Sequence, residues 1–146
     1  MKPSIKLKKI WQDDDMVELT VSVTDGMSLF QCDIYVGHQS LSEAVKNLNE
    51  FKNHVYGGLF DLRFGEFGPE YASGAFHARF QFHHSGNGKL SITAKAESEW
   101  NEFTRTMVAS KATLYLRTEP ALLDNWLVSL KGLAKETRDE AILECI

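Results

Sequence analysis

The sequence predicts an α+β fold, a mostly antiparallel seven-stranded curled sheet or partial sandwich with two amphipathic helices, in the order βββαββββα. Two observations predict it. Most of the chain alternates apolar and polar residues with the period of half-buried antiparallel strands, whereas two stretches repeat their apolar residues at helical spacing. Strands with one apolar face need a cover, which the two helices supply. The 146 residues, 1–146, suit a single domain.

The first three strands are expected to form a meander. Residues 5–8 alternate and lead into the turn at 12–15, and residues 16–24 then alternate over nine positions. Asp25-Gly26 is a strong turn signal before a third strand at residues 29–36.

The period then changes to that of a helix. Ser40 and Glu43 fit a capping box, and Gly57-Gly58 supplies a residue pair that can end the helix. The apolar stripe between them consists of Leu41, Ala44, Val45, Leu48, Phe51 and Val55.

Four further strands are predicted at residues 59–64, 71–82, 89–97 and 103–117. The turn Ser85-Gly86-Asn87-Gly88 closes a hairpin between the second and third of them. In the last strand the adjacent apolar residues Met107-Val108 break the alternation, which indicates a bulge.

A second helix is predicted from Pro120, because proline in the first turn costs no helical hydrogen bond. Residues 137–146 are charged and then apolar, and the sequence leaves open whether they extend the helix, dock or fray. The apolar stripe of this helix is Leu122, Leu123, Trp126, Leu127, Leu130 and Leu133.

Bulk composition narrows the class of protein. The net charge is −4, so no global basic field attracts phosphate backbones, and we expect no nucleic-acid partner. No segment approaches the roughly 20 consecutive apolar residues that span a bilayer, and the N-terminus lacks the apolar core of a secretion signal. With only two cysteines, we expect a cytoplasmic protein with reduced thiols and no membrane contact.

The polar residues do not form a recognisable catalytic or metal-binding pattern. His77 and His83 share a strand face, but six residues of strand place them roughly 20 Å apart, too far for one metal ion. The Asp13–Asp15 run lacks the spacing and closing glutamate of a calcium loop, and no nucleophile elbow occurs. We therefore expect no catalytic residue, no metal and no cofactor.

Two loops combine acids with aromatic residues and are the predicted binding sites for a protein partner. In the first loop a tryptophan precedes three carboxylates, and in the second two aromatics flank glycine and acid. Charged turns are usually just solvated, and Phe67 would ordinarily pack into the core. The predicted partner-binding residues are Trp11, Asp13, Asp14, Asp15, Glu66, Phe67 and Tyr71.

The predicted elements follow one another as antiparallel strands, a short helix, further long strands and a closing helix at residues 120–127. The short helix carries the apolar stripe Leu41, Val45, Leu48 and Phe51. This order resembles the small immunity-type proteins of bacterial polymorphic toxin systems, the WapI-like immunity family in particular. The similarity covers most of the chain as pattern and order, without a signature motif. It implies a cytoplasmic, non-enzymatic protein that binds and blocks a cognate toxin domain.

Two alternatives from other classes stay open. A small-ligand or enzymatic domain would place polar side chains in a pocket on a concave sheet face. An oligomerising structural protein would pack the tail residues Ile142, Leu143 and Ile146 against a neighbour. The side chains that the first alternative requires to converge are His77, Arg79, Lys95 and Arg105.

Overall fold

The computed structural model describes residues 1–54, 56–71, 73–84 and 87–146. This part of the chain forms ten strands and two helices. In chain order they are β1 (Ser4–Gln12), β2 (Met16–Thr24), β3 (Leu29–Gly37), α1 (His38–Phe51), β4 (Leu59–Phe64), β5 (Ala75–Phe82), β6 (Leu90–Glu97), β7 (Asn101–Phe103), β8 (Thr106–Val108), β9 (Lys111–Thr118), α2 (Pro120–Ala134) and β10 (Glu140–Glu144).

The strands form two four-stranded antiparallel sheets and one small hairpin. The first sheet has the order β10-β1-β2-β3, the second has the order β4-β5-β6-β9, and β7 pairs with β8. The α+β class and the antiparallel pairing predicted from the sequence are confirmed.

The inward faces of both sheets and one face of each helix meet in a single hydrophobic cluster. Phe51 of α1 stacks on Phe82 with ring centroids 4.9 Å apart, and Trp126 of α2 stacks on Phe80 at 5.9 Å. Both helices thus pack their apolar stripes onto β5. Burying such aromatic side chains is a large source of stability.

The two sheets approach each other closely at Gly74. A Cβ atom at this position would lie 2.8 Å from the Asp33 carbonyl oxygen of β3 and 2.7 Å from that of Glu97 of β6. At another junction the Thr118 hydroxyl donates to the Glu144 carbonyl at 2.8 Å, which ties β9 to β10. Position 74 requires glycine, because a side chain there would collide with the two backbone carbonyl oxygens of Asp33 and Glu97.

The prediction of one long strand over residues 103–117 is wrong. The chain instead forms the hairpin β7–β8 and then begins β9 at Lys111. Thr104, in the hairpin turn, has a φ of 58°, so the chain reverses there rather than continuing through a bulge. All residues of β7 and β8 are exposed, which explains why no alternation marked them as a separate pair. Three strands replace the one predicted, and with the unpredicted β10 the described residues form ten strands instead of seven.

Helix α1 starts and ends earlier than predicted. It begins at His38 after Gly37, and no side chain caps it, so the predicted capping box of Ser40 and Glu43 does not form. The helix ends at Phe51, well before Gly57-Gly58. Val55, from the predicted stripe, lies outside the described residues, as do Ser85 and Gly86 of the predicted hairpin turn.

The C-terminal residues, whose conformation the sequence left open, dock as an edge strand. β10 pairs with β1, Leu143 opposite Ile5, and Leu143 is fully buried. Helix α2 starts at Pro120, as predicted, with Lys131 in its last turn. Within the described residues, neither helix has the length and apolar character that crossing a membrane requires.

Candidate partner-binding surface

The outer face of the first sheet carries an aromatic pair that reaches from β1 across β2 to β3. Trp11 lies opposite Glu18 in the β1–β2 register, and Glu18 lies opposite Tyr35 in the β2–β3 register, so all three share one face. The rings of Trp11 and Tyr35 meet edge to face, with centroids 6.0 Å apart and planes at 82°. Trp11 is 46% exposed and Tyr35 is 42% exposed. Two aromatic rings are therefore held together at the surface, where they can contact a partner.

The electrostatic environment of this pair is acidic. Glu18 raises the pKa of the Tyr35 phenol above its ordinary value, with smaller contributions from Glu99 and Asp33. Asp33 also accepts the Thr20 hydroxyl at 2.6 Å, which fixes its carboxylate on the same outer face. Three carboxylates therefore lie near one phenol.

The turn at residues 13–15 continues this acidic region. Asp13 Oδ1 accepts the backbone amides of Asp15 at 2.9 Å and Met16 at 2.7 Å, and these bonds lower the pKa of Asp13. His38 Nε2 donates to the Asp13 carbonyl at 2.8 Å. Asp13 thus shapes its own turn, whereas Asp14 and Asp15 present exposed carboxylates to solvent.

These residues form what we call the acidic–aromatic surface. Within the described part of the chain, none of its six carboxylates takes part in an ion pair. Its members are Trp11, Asp13, Asp14, Asp15, Glu18, Asp33, Tyr35 and Glu99.

The second predicted loop lies over the end of the other sheet. Phe67 is 39% exposed and Tyr71 is 44% exposed, and Glu66 is also exposed. Phe67 is therefore not packed into the core. The Gly68 amide donates to Glu97 Oε2 at 2.9 Å, which anchors this loop to β6.

Glu97 is a buried carboxylate, 2% exposed, with a full set of partners. Its Oε2 also accepts Trp100 Nε1 at 3.0 Å, and its Oε1 lies 3.5 Å from Lys111 Nζ. Burial raises the pKa of Glu97, but the bonds from Gly68 and Trp100 and the charge of Lys111 outweigh it, and the net pKa is lowered. This carboxylate is ionised and structural rather than a proton donor.

Residues 97–100 connect the two predicted sites. Glu97 holds the loop that carries Phe67, while Glu99 acts electrostatically on Tyr35. Trp11 and residues 13–15 thus form one group, on the Glu99 side of the segment 97–100. Glu66, Phe67 and Tyr71 form a second group, on the Glu97 side of the same segment.

The hairpin β7–β8, which follows this connection directly, presents exposed apolar side chains. Phe103 is 65% exposed, Met107 47% and Val108 40%. Sequence reasoning missed these residues because they were assigned to a continuous strand. It also missed Glu18, Asp33 and Tyr35, although the alternation of β2 and β3 places all three on outward positions.

The polar side chains of the alternative ligand site converge only in part. Asp61 Oδ1 accepts His77 Nε2 and Arg79 Nε, each at 2.8 Å, and Lys95 lies opposite His77 on the next strand. Arg79 lowers the pKa of Asp61 strongly, with a further contribution from His77. Arg105 lies on the separate β7–β8 hairpin, away from this register. His77 and Arg79 are therefore both bound to Asp61 on the outward face of the sheet.

Histidine, cysteine and carboxylate side chains are the candidate metal ligands and thiols among the described residues. These residues contain no group of three or more histidine, cysteine, aspartate or glutamate side chains placed to hold a metal ion. Burial raises the pKa of Cys32 to about 11 and that of Cys145 to about 12, so neither is a reactive thiolate at neutral pH.

Comparison of the chain with models of protein families, with curated proteins and with solved structures finds no match.

Proposed function

We propose that this protein is a non-enzymatic binding module that captures a basic protein partner with its acidic–aromatic surface, one partner per chain. The observation that carries the proposal is the Trp11–Tyr35 pair with three carboxylates near its phenol and three more in the turn that follows β1, none of the six in an ion pair within the described residues. Such a surface attracts positive charge and offers rigid aromatic side chains for burial.

The carboxylates of the acidic–aromatic surface lie in the β1–β2 turn, on the outer positions of β2 and β3, and at Glu99. Toward β10, two of the three lysines of β1 are paired with carboxylates. Lys6 pairs with Glu140 at 2.7 Å, and Lys9 pairs with Asp139 at 3.4 Å. A basic partner approaching this sheet is therefore steered toward the acidic–aromatic surface rather than toward β10.

Binding would proceed by electrostatic steering followed by burial of aromatic anchors. Trp11 and Tyr35 already contact each other, so little side-chain entropy is lost when a partner covers them. Phe67 and Tyr71 in the neighbouring loop, and Phe103 on the hairpin, would extend the contact. A few such aromatic residues commonly supply most of the binding free energy of an interface.

The resemblance to immunity-type proteins makes the partner a toxin domain met in the cytoplasm. Stoichiometric occlusion of a toxin requires no catalytic group in the inhibitor. Many toxins that act on nucleic acids carry basic surfaces, because they bind phosphates, and an acidic inhibitor surface would complement them. Coexpression with a basic toxin domain that arrests growth tests this form of the proposal, which predicts restored growth.

Charge-neutral variants test the binding surface itself. Asp14→Asn/Glu99→Gln removes two charges from the acidic–aromatic surface and spares Asp13, which shapes its turn. The matched control, Glu43→Gln/Glu50→Gln, removes two charges from exposed positions of α1.

Association with the toxin domain used in the coexpression test is measured by surface plasmon resonance at low and high salt. We expect the Asp14→Asn/Glu99→Gln variant to lose about tenfold in on-rate at low salt and to approach the wild type at high salt, because salt screens steering. The control should behave as the wild type does. Equal on-rates for the two double variants at low salt would refute the proposed surface.

A further inference from the structure

A cleft of about 640 Å³ lies away from the acidic–aromatic surface. Its walls come from His83, residues 87–91, the end of β9 and the start of α2. Gly88 and Pro120 lie close together in the lining of the cleft. A Cβ atom added to Gly88 would lie 3.3 Å from the Cγ of Pro120, and the φ of Gly88 is 74°. The volume falls within the range of roughly 300–1,000 Å³ that is usual for small-molecule sites.

Strand register brings cationic and polar side chains to this cleft from three strands. Ser91 of β6 lies opposite Arg117 of β9, and the His83 amide donates to the Lys89 carbonyl at 3.1 Å. His83 Nε2 lies 2.6 Å from Ser91 Oγ. The Ile146 amide donates to the Arg117 carbonyl at 2.8 Å and closes one side of the cleft.

No carboxylate of the described residues neutralises the two cations of this cleft, whereas two other cations of the same sheet are paired. Arg79 is held by Asp61 at 2.8 Å, and Lys111 lies 3.5 Å from Glu97. Within the described residues, neither Lys89 nor Arg117 makes an ion pair with any carboxylate.

The charged side chains that line the cleft favour an anion. Among the lining residues that the structure describes, Glu119 is the one acidic side chain, against the cationic Lys89 and Arg117. Hydrogen-bond donors are also present in the Ser91 hydroxyl and the Asn87 amide.

We propose that this cleft binds a phosphorylated small molecule, with Arg117 and Lys89 as the cationic contacts. A guanidinium forms paired hydrogen bonds with two phosphoryl oxygens, and an ammonium adds a compact charge for the third. Ser91 lies opposite Arg117, His83 lies within hydrogen-bond distance of Ser91, and both supply further polar contacts. The remaining volume accommodates the organic part of the ligand, beside Leu90 and Pro120.

Isothermal titration of the full chain with inorganic pyrophosphate and with adenosine diphosphate tests the proposal, and citrate serves as a carboxylate of similar charge. We expect one site per chain for both phosphates and weaker binding of citrate. Arg117→Gln should weaken phosphate binding by about tenfold or more, because a charge-assisted pair is lost. Arg63→Gln, on the same sheet face but outside the cleft, should bind as the wild type does.

Each contrary result overturns the assignment. Absence of saturable binding by both phosphates refutes the site, equal binding of citrate refutes the preference for phosphoryl groups, and equal weakening by Arg63→Gln refutes the location. Unfolding midpoints of both variants show whether a loss of binding reflects a loss of fold. The Asp14→Asn/Glu99→Gln variant should bind phosphate normally, so this test is independent of the proposed protein partner.

Discussion

Trp100 Nε1 donates to Glu97 Oε2 at 3.0 Å, and the same oxygen accepts the Gly68 amide at 2.9 Å. One buried carboxylate therefore joins the segment that enters the β7–β8 hairpin to the loop that carries Phe67. Lys111 completes the arrangement, since its Nζ lies 5.1 Å from the centroid of the Trp100 ring. The placement of two potential contact regions depends on this single side chain.

Replacing Glu97 with alanine should destabilise the fold and release the loop. The change leaves the Gly68 amide and the Trp100 indole N–H without their acceptor, and we expect a loss of about 2–3 kcal/mol in the free energy of unfolding. Glu97→Gln should cost less, because its amide oxygen still accepts both bonds. Urea unfolding followed by tryptophan fluorescence measures both changes, and equal stability of Glu97→Ala and the wild type would contradict this role.

Gly74→Ala tests the close approach of the two sheets. The added methyl group would meet two backbone carbonyl oxygens, of Asp33 and Glu97, at 2.8 and 2.7 Å, and neither can move without shifting a strand. We expect a loss of about 1–3 kcal/mol, typical of overpacking. Gly37→Ala is the control, because its nearest neighbour would be the Ser40 hydroxyl at 3.6 Å and its φ is −64°. Denaturant unfolding that ranks the two variants equally would exclude a tight junction at Gly74.

Much of the fold was predictable because burial imposes a period on the sequence. The alternation from Val17 to Val23 marks β2, and all four inward valine and leucine residues are buried. In the same way the stripe ending at Leu133 marks α2. These elements have one face in the core, so their side-chain pattern reports the backbone conformation.

The rest depends on contacts that no local pattern contains. The β7–β8 hairpin is exposed on both faces, and β10 finds its partner β1 at the opposite end of the chain. The Trp11–Tyr35 contact requires the registers of three strands at once. The sequence therefore predicted Trp11 as a surface residue but could not supply the tyrosine beside it.

Neighbouring residues of β10 allow a direct test of its docking. Leu143 is fully buried and Ile142 is 44% exposed, because consecutive side chains of a strand point to opposite faces. We expect Leu143→Ala to cost about 2–5 kcal/mol and Ile142→Ala less than about 0.5 kcal/mol. Thermal and urea unfolding give both values.

The same strand bears on the alternative in which the tail mediates oligomers. Its inward residues are already occupied by the core of their own chain, so removal of residues 136–146 should unfold the protein rather than only separate copies. Circular dichroism together with size-exclusion chromatography distinguishes the two outcomes. A truncated chain that remains folded and elutes as a smaller assembly would favour the oligomerising role.

Asp61 should make stability depend on pH in the acid range. Arg79 and His77 lower the pKa of its carboxyl in the folded state, whereas the unfolded chain returns it to about 3.9. A lowered folded-state pKa contributes stability that is present above the unfolded value and is lost as the pH falls toward the folded value. The contribution is therefore complete at neutral pH and declines below about pH 4.

Asp61→Asn isolates this contribution. At pH 7 we expect the variant to be about 1–2 kcal/mol less stable than the wild type, since the Asp61 side chain is only 24% exposed, and the difference should shrink as the pH falls from 4 to 2. Asp124→Asn is the control, because Asp124 is 57% exposed and lies 3.6 Å from Lys52 in a surface pair that contributes little. Urea unfolding across this pH series provides the comparison. A difference between Asp61→Asn and the wild type that stays constant down to pH 2 would show that the carboxylate charge is not what stabilises this part of the sheet.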